Sequence, residues 1–289
     1  MISVGRIAGW MRRWRAVPRR FNPYISGTPV FESHLFFGRE QLAQRTLRLL
    51  ASRSVKLTGE RRIGKTSFLH HLQRVLASEN GGERRFVPVF VDLEAVTAPH
   101  LFHVLMGETI EALAFLPRTF AGLRFTGEHD SYQASDFSHD LKRVVRELRG
   151  RAQASARLVL LVDEVDAVWH DPEMIGDPWL DTLLEDCSQD LRVVEAGVDE
   201  GERGPGEARH RRDSLEDLEL EPLTADDART LVTRPVAGLF RYEPRAVERL
   251  LQLGHGRPYL LQKLCLNALN RMLDDGRTTV RLADVEATL

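Results

Sequence analysis

The chain is poor in cysteine and carries no strong excess of either charge. Its two cysteines, Cys187 and Cys265, stand far apart with no C-x-x-C spacing. That excludes a disulfide framework and a thiolate zinc site, and it suits a reducing compartment. His70 with His71, and His100 with His103, lack the Cys or acidic partner that completes a metal site, so they read as surface or helix-face residues. Formal net charge is -2, so affinity for nucleic acid or an anionic membrane has to come from a local patch. Nowhere is there a run of about 18 apolar residues to span a bilayer, nor an apolar core of signal-peptide length at the start. A cytoplasmic location without a transmembrane segment is the expectation. No disorder signature dominates either: 289 residues, 43% hydrophobic and 28% charged, suffice for one large α/β core and a smaller appended domain.

A local patch does exist. Residues 1–20, "MISVGRIAGWMRRWRAVPRR", hold Arg6, Arg12, Arg13, Arg15, Arg19 and Arg20 without an acid, with Ile7, Trp10, Met11 and Trp14 at helical spacing. This basic amphipathic arm suits nucleic-acid phosphates, a partner protein anchored by Trp10 and Trp14, or a lipid surface.

The most informative stretch is "GERRIGKT", Gly59–Thr66. It fits G-x-x-x-x-G-K-[ST], in which glycines let backbone N–H groups converge on phosphate oxygens, Lys reaches the terminal phosphates and Thr binds magnesium. The β-prone "SVKLT" enters it, and "KTSFLHHLQRVLAS" leaves it with Phe68, Leu69, Leu72, Val75 and Leu76 at helical period. A chance turn does not explain Lys65 and Thr66 directly after Gly64. The stretch therefore nominates Gly59, Arg62, Ile63, Gly64, Lys65, Thr66 and Ser67 as contacts for ATP with Mg2+.

"ARLVLLVDEVDAV" is an unbroken apolar run ending in acids, the pattern of a parallel strand buried on both faces. Magnesium on a nucleotide is held by the P-loop hydroxyl on one side and by an acid at a neighbouring strand's end on the other, so Asp163 is the second metal ligand. Glu164 is placed to activate the attacking water, and Asp166 reads as an outer or surface acid. Further strands read at Phe86–Val96, Asp190–Gly197 and Leu215–Leu223. They complete an α/β three-layer P-loop NTPase core whose Asp-Glu pair suggests strand order 5-1-4-3-2. From Thr224 the pattern turns helical, with a capping-box-like Thr224/Asp227 start and a first-turn Pro258. The expected organisation is a basic arm at 1–20, a P-loop core at 21–223 and a helical lid at 224–289.

These motifs, together with "NPYISGTPV", "FFGRE", "LEPLTADDARTLVTRPV" and "GHGRPYLLQKLC", resemble the STAND-type branch of AAA-related P-loop ATPases, from Phe21 to Leu289. The resemblance implies that Gly38 and Arg39 lie toward the base of the nucleotide, and that Gly256 and Pro258 in the helical part close over it. It also implies a slowly hydrolysing ATP switch that forms a homo-oligomer with nucleotide and controls a separate effector or sensor protein, in prokaryotic defence or stress signalling. The chain departs from relatives where the strand "VVEAG" lacks an arginine to sense the γ-phosphate; Arg203, Arg209–Arg212 or a neighbouring subunit are the substitutes. Two other readings stay open: a DNA-acting AAA-like ATPase using the basic arm or "RHRR", and a scaffold that binds ATP without hydrolysing it.

Overall fold

An apolar run at Ser155–Asp163 and a wholly buried Leu191–Ala196 build the centre of a parallel sheet, with the run at Arg84–Asp92 along one edge. The computed structural model describes residues 21–79, 84–114, 122–127, 132–151, 155–169, 179–198 and 214–288. These residues form two compact units, one spanning Arg39–Glu221, the other joining the segment up to Gly38 with Pro222–Leu289. The basic arm, Arg203 and Arg209–Arg212 lie outside the described residues.

In the first unit, β1 (Ser54–Thr58), β2 (Arg84–Asp92), β3 (Ser155–Asp163), β4 (Leu191–Ala196) and β5 (Leu215–Glu219) are all parallel, in the order β2-β3-β4-β1-β5. This is the expected 5-1-4-3-2 order counted from the other edge. Parallel neighbours need crossovers. These are carried by α2 (Lys65–Ser78), α3 (Leu101–Ala112), α4 (Ala134–Arg151), α5 (Asp166–Trp169) and α6 (Trp179–Asp186), while α1 (Glu40–Leu50) leads into β1, giving the three-layer α/β P-loop fold. The largest core cluster gathers Leu158, Leu160 and Val162 of β3 with Phe102, Phe137 and Trp179. Phe102 meets Trp179 edge-on at 4.9 Å between ring centroids, the geometry that ring quadrupoles favour.

Helix α4 shows how the sequence makes its faces. Phe137, Leu141, Val144, Val145 and Leu148 recur at helical period and are buried, while His139, Arg143, Arg146 and Arg149 are exposed. Asp140 falls on the apolar side and is fully buried. Its carboxylate accepts from Arg124 N and Phe125 N at 2.9 Å each and from Tyr132 Oη at 3.0 Å. Three donors meet the cost of burying that acid and clasp the loop ahead of α4. Burial, then the neighbouring Asp140 carboxylate, raise the Tyr132 hydroxyl well above its ordinary value.

The second unit packs α7 (Ala225–Thr233), α8 (Pro244–Gly254), α9 (Pro258–Asp274) and α10 (Leu282–Glu286) around their own core, with a two-residue parallel bridge of β6 (Arg241–Tyr242) and β7 (Thr279–Val280). Thr224 caps α7 by accepting from Asp227 N, and Pro244 and Pro258 occupy first turns, as N-terminal chemistry requires. The segment Phe21–Gly38, which the sequence reading counts with the P-loop core, packs on these helices. Asn22 Nδ2 donates to Leu266 O at 3.0 Å and Asn270 Oδ1 at 2.8 Å, Ile25 N donates to Gln262 Oε1, and Tyr24 Oη donates to Val232 O.

Asp284 closes the end of this unit. It is buried, accepts from both terminal nitrogens of Arg277 at 2.8 and 2.6 Å, and accepts from Arg281 N at 2.7 Å. The Arg277 hydrogen bonds hold its carboxyl below the usual carboxylate range. A carboxyl depressed in the folded state stabilises at pH above its unfolded value and loses that contribution as pH falls through the folded value. Asp284→Asn is therefore expected to cost about 2 kcal/mol at neutral pH. It should also flatten the loss of stability below about pH 4, as measured by urea melts across pH; parallel pH profiles for the two proteins would refute the assignment.

Candidate nucleotide site

β1 delivers the chain into Gly59–Gly64, and α2 starts at Lys65. The turn uses backbone that side chains disfavour: Arg62 has φ 64° and Gly64, the N-cap, has φ 106°. A Cβ on Gly59 would sit 2.9 Å from Leu220 O and 3.1 Å from Ile63 Cγ2, so the loop closes only with glycine there. A Cβ on Gly64 would touch nothing within 4 Å. The head of α2 thus combines open room, an N-cap without a side-chain hydrogen bond and the partial positive charge of a helix N-terminus, which together fit a phosphate. Lys65 is buried, its Nζ donating to Gly59 O at 3.0 Å and Glu60 O at 3.2 Å. Burial lowers its pKa, and the nearby Glu164, Asp166 and Asp163 oppose that shift. Ser67 follows Thr66 in the first turn of the same helix.

The acids arrive from β3. Asp163 is its last residue, buried, and pairs in register with Asp92 at the end of β2. Burial raises the Asp163 carboxyl, and the nearby Thr66 hydroxyl opposes that shift. Two hard oxygen donors, Thr66 at the head of α2 and Asp163 at the end of β3, thus lie near one another, the donor type a magnesium ion on a nucleotide takes. Glu164 comes next in left-handed backbone at φ 53°, its N–H donating to Asp163 Oδ1 at 3.0 Å. Its flanks are fixed: Leu93 N donates to Asp163 O and Val165 N to Ala196 O. A non-glycine residue held there stores strain of the kind that concentrates at functional sites. Burial first, then the Asp163 charge, raise the Glu164 carboxyl, and Lys65 opposes this.

The structure thus brings together Gly59, Arg62, Ile63, Gly64, Lys65, Thr66, Asp163 and Glu164 at the strand ends of one unit. Arg39 belongs to that unit as the N-cap of α1. Gly38, Gly256 and Pro258 belong to the other, where the two glycines have local roles. A Cβ on Gly38 would lie 2.6 Å from Asp227 Cβ, and one on Gly256 would lie 2.5 Å from Leu223 O. Leu223 N also donates to Gly256 O, and Pro258 opens α9.

Two acids beside the site carry more than the sequence reading gave them. Asp92 was not singled out; only the β2–β3 register sets it beside Asp163. Asp166 Oδ2 accepts from Val198 N at 2.6 Å, and its Oδ1 would lie 2.7 Å from a Cβ on Gly197. It ties the start of α5 to the residues just past β4, and the glycine is what lets it approach.

No curated protein matches the sequence. Among solved structures, the Walker-type ATPase of Pyrococcus abyssi aligns over 90% of this chain and 73% of its own at 18% identity and a TM-score of 0.64. Cdc6p from Pyrobaculum aerophilum aligns over 91% and 69% at 16% identity and a TM-score of 0.57. The Aeropyrum pernix Orc1 protein, solved in complex with DNA, aligns at 19% identity and a TM-score of 0.55 over 91% of this chain, which spans 65% of the Orc1 chain's length. At such identities the likeness is one of fold. No helix among the described residues is long and apolar enough to cross a membrane. The profile of the novel STAND NTPase 1 family, nSTAND1, matches residues 30–283; the chain belongs to this family of P-loop NTPases.

Proposed function

We propose that the protein is an ATP-operated switch that binds ATP with Mg2+, hydrolyses it slowly, and couples nucleotide state to self-assembly and to control of a separate effector. The observation that carries this reading is the glycine turn opening α2 at Lys65 and Thr66, with Asp163 and the left-handed Glu164 following at the end of the parallel strand β3. In it, backbone N–H groups of Gly59–Thr66 and the Lys65 ammonium would hold the phosphates, and Thr66 and Asp163 would hold a magnesium ion that supplies neutralising charge. The Glu164 carboxylate takes a proton from water as its oxygen bonds to the γ-phosphorus and the bond to the bridging oxygen breaks. Gly38, Arg39, Gly256 and Pro258 are proposed as further nucleotide contacts, with Arg39–Glu221 as the core and the helical unit, which includes Phe21–Gly38, as the lid. A role in prokaryotic defence or stress signalling is proposed from the family resemblance. A ligand moves such a switch only by binding its two states with different affinity.

Titration of ATP with and without magnesium tests the binding half. Lys65→Ala is expected to weaken ATP about 10- to 100-fold, the loss of one or two charged hydrogen bonds. Asp163→Asn should leave metal-free binding nearly intact but remove most of the gain that magnesium gives. Equal binding by wild type and Lys65→Ala would rule out the P-loop as the site.

A further inference from the structure

The exposed side of α4 and the outer side of β5 carry opposite charge. On α4, His139, Lys142, Arg143, Arg146 and Glu147 line a shallow groove. Lys142 is committed to Asp186 and, one turn beyond Arg146, Arg149 to Asp190. Arg143 and Arg146 are exposed and have no ion pair among the described residues. On β5, an edge of the five-stranded sheet, Leu218 and Leu220 point inward and are buried. Asp217, Glu219 and Glu221 alternate with them, exposed and likewise without an ion pair among the described residues, whereas Glu216 is held by Arg53. Acids on an edge strand discourage indiscriminate strand pairing, which accounts for the carboxylates but not for two exposed arginines on α4 that have no ion pair among the described residues.

We infer that Arg143 and Arg146 of one copy dock on the Asp217–Glu219 edge of a second copy, forming the contact through which the chain assembles. The inference rests on the assembly part of the proposed function and names its surface. The spacings suit each other. Alternate residues of a strand lie about 6.8 Å apart, and arginines three residues apart on a helix rise about 4.5 Å, a difference their long side chains span while each guanidinium takes a carboxylate fork to fork. A second copy fits better than a nucleic acid. The patch is short, Glu147 interrupts it, its flanking cations are already paired, and a net charge of -2 gives no general attraction for a polyanion. Because the two surfaces differ, the contact is heterologous and propagates into a ring or a filament.

Charge reversal with rescue tests this. Arg143→Glu with Arg146→Glu, and separately Asp217→Arg with Glu219→Arg, are each expected to raise the protein concentration for half-assembly with ATP and magnesium at least about tenfold, since like charges then face each other. The chain carrying all four substitutions should return to within about threefold of wild type. ATP affinity, measured at a protein concentration too low for assembly and from a site these residues do not touch, should stay unchanged in every variant and certifies folding. Reversals without effect on assembly, or a four-fold variant no better than the doubles, overturn the interface while leaving the switch reading standing. Failure of wild type and of Glu164→Gln alike to assemble at saturating ATP overturns both. Binding of a 20-base-pair duplex lost on reversing Arg143 and Arg146, with assembly unaffected, overturns it in favour of a nucleic-acid surface.

Discussion

Glu164→Gln is expected to lower kcat for ATP hydrolysis by about 10²- to 10⁴-fold while changing ATP affinity by less than about threefold. The amide keeps the shape of the side chain and the left-handed backbone at φ 53° but cannot take a proton from water. Lys65 and Thr66, which hold phosphate and metal in the proposed site, are untouched, so binding should survive. Single-turnover hydrolysis with labelled ATP separates the two effects. A variant that turns over at the wild-type rate would remove Glu164 from the chemistry. A wild type with no turnover at all would favour a scaffold that binds ATP without consuming it.

The second large effect concerns stability. Arg157, near the start of β3, is 1% exposed. Its Nε donates to Gln189 O at 2.8 Å, and its Nη1 donates to Leu50 O at 2.8 Å and Ala51 O at 2.7 Å. The guanidinium thus satisfies carbonyls at the C-terminal end of α1, where a cation is favoured, and ties that end to the turn before β4. Arg157→Ala leaves the buried Leu50 carbonyl and the part-buried Ala51 and Gln189 carbonyls without this donor and opens a cavity. We expect a loss of about 3–5 kcal/mol, which lowers Tm by on the order of 10 °C in a unit of this size. Arg157→Lys should recover only part, because an ammonium cannot reproduce the planar fork. ATP affinity of the folded fraction should not move, since Arg157 lies at the opposite end of β3 from Asp163. A Tm within about 2 °C of wild type in the alanine variant would contradict this role.

The strand, glycine-rich turn and helix around Gly59–Thr66, and the apolar run ending at Asp163 and Glu164, were legible because each is a local pattern of period or composition. The strand order was legible as well, since an Asp-Glu pair after a buried strand points to a P-loop class with a strand inserted between β1 and β3. Long-range partners were not legible. The attachment of Phe21–Gly38 to the helices depends on Asn22 meeting Leu266 and Asn270, and on Tyr24 meeting Val232, contacts more than 200 residues apart that no local pattern encodes. Arg157 stands at the polar start of an apolar run and Asp140 is one more polar residue of a helix, so no local pattern singles out either. Each is buried because backbone donors or acceptors from other segments converge on it, and only the fold shows that convergence. Asp92 became visible only through the register of β2 on β3.

The most direct test of the account is particle mass in solution with ATP and magnesium, measured for wild type, Glu164→Gln and Lys65→Ala. The account predicts that Glu164→Gln accumulates a nucleotide-dependent oligomer, that wild type forms it transiently as ATP is consumed, and that Lys65→Ala stays monomeric. A wild type and a Glu164→Gln variant that both remain monomeric at saturating ATP, or an oligomer that Lys65→Ala forms equally well, would contradict it.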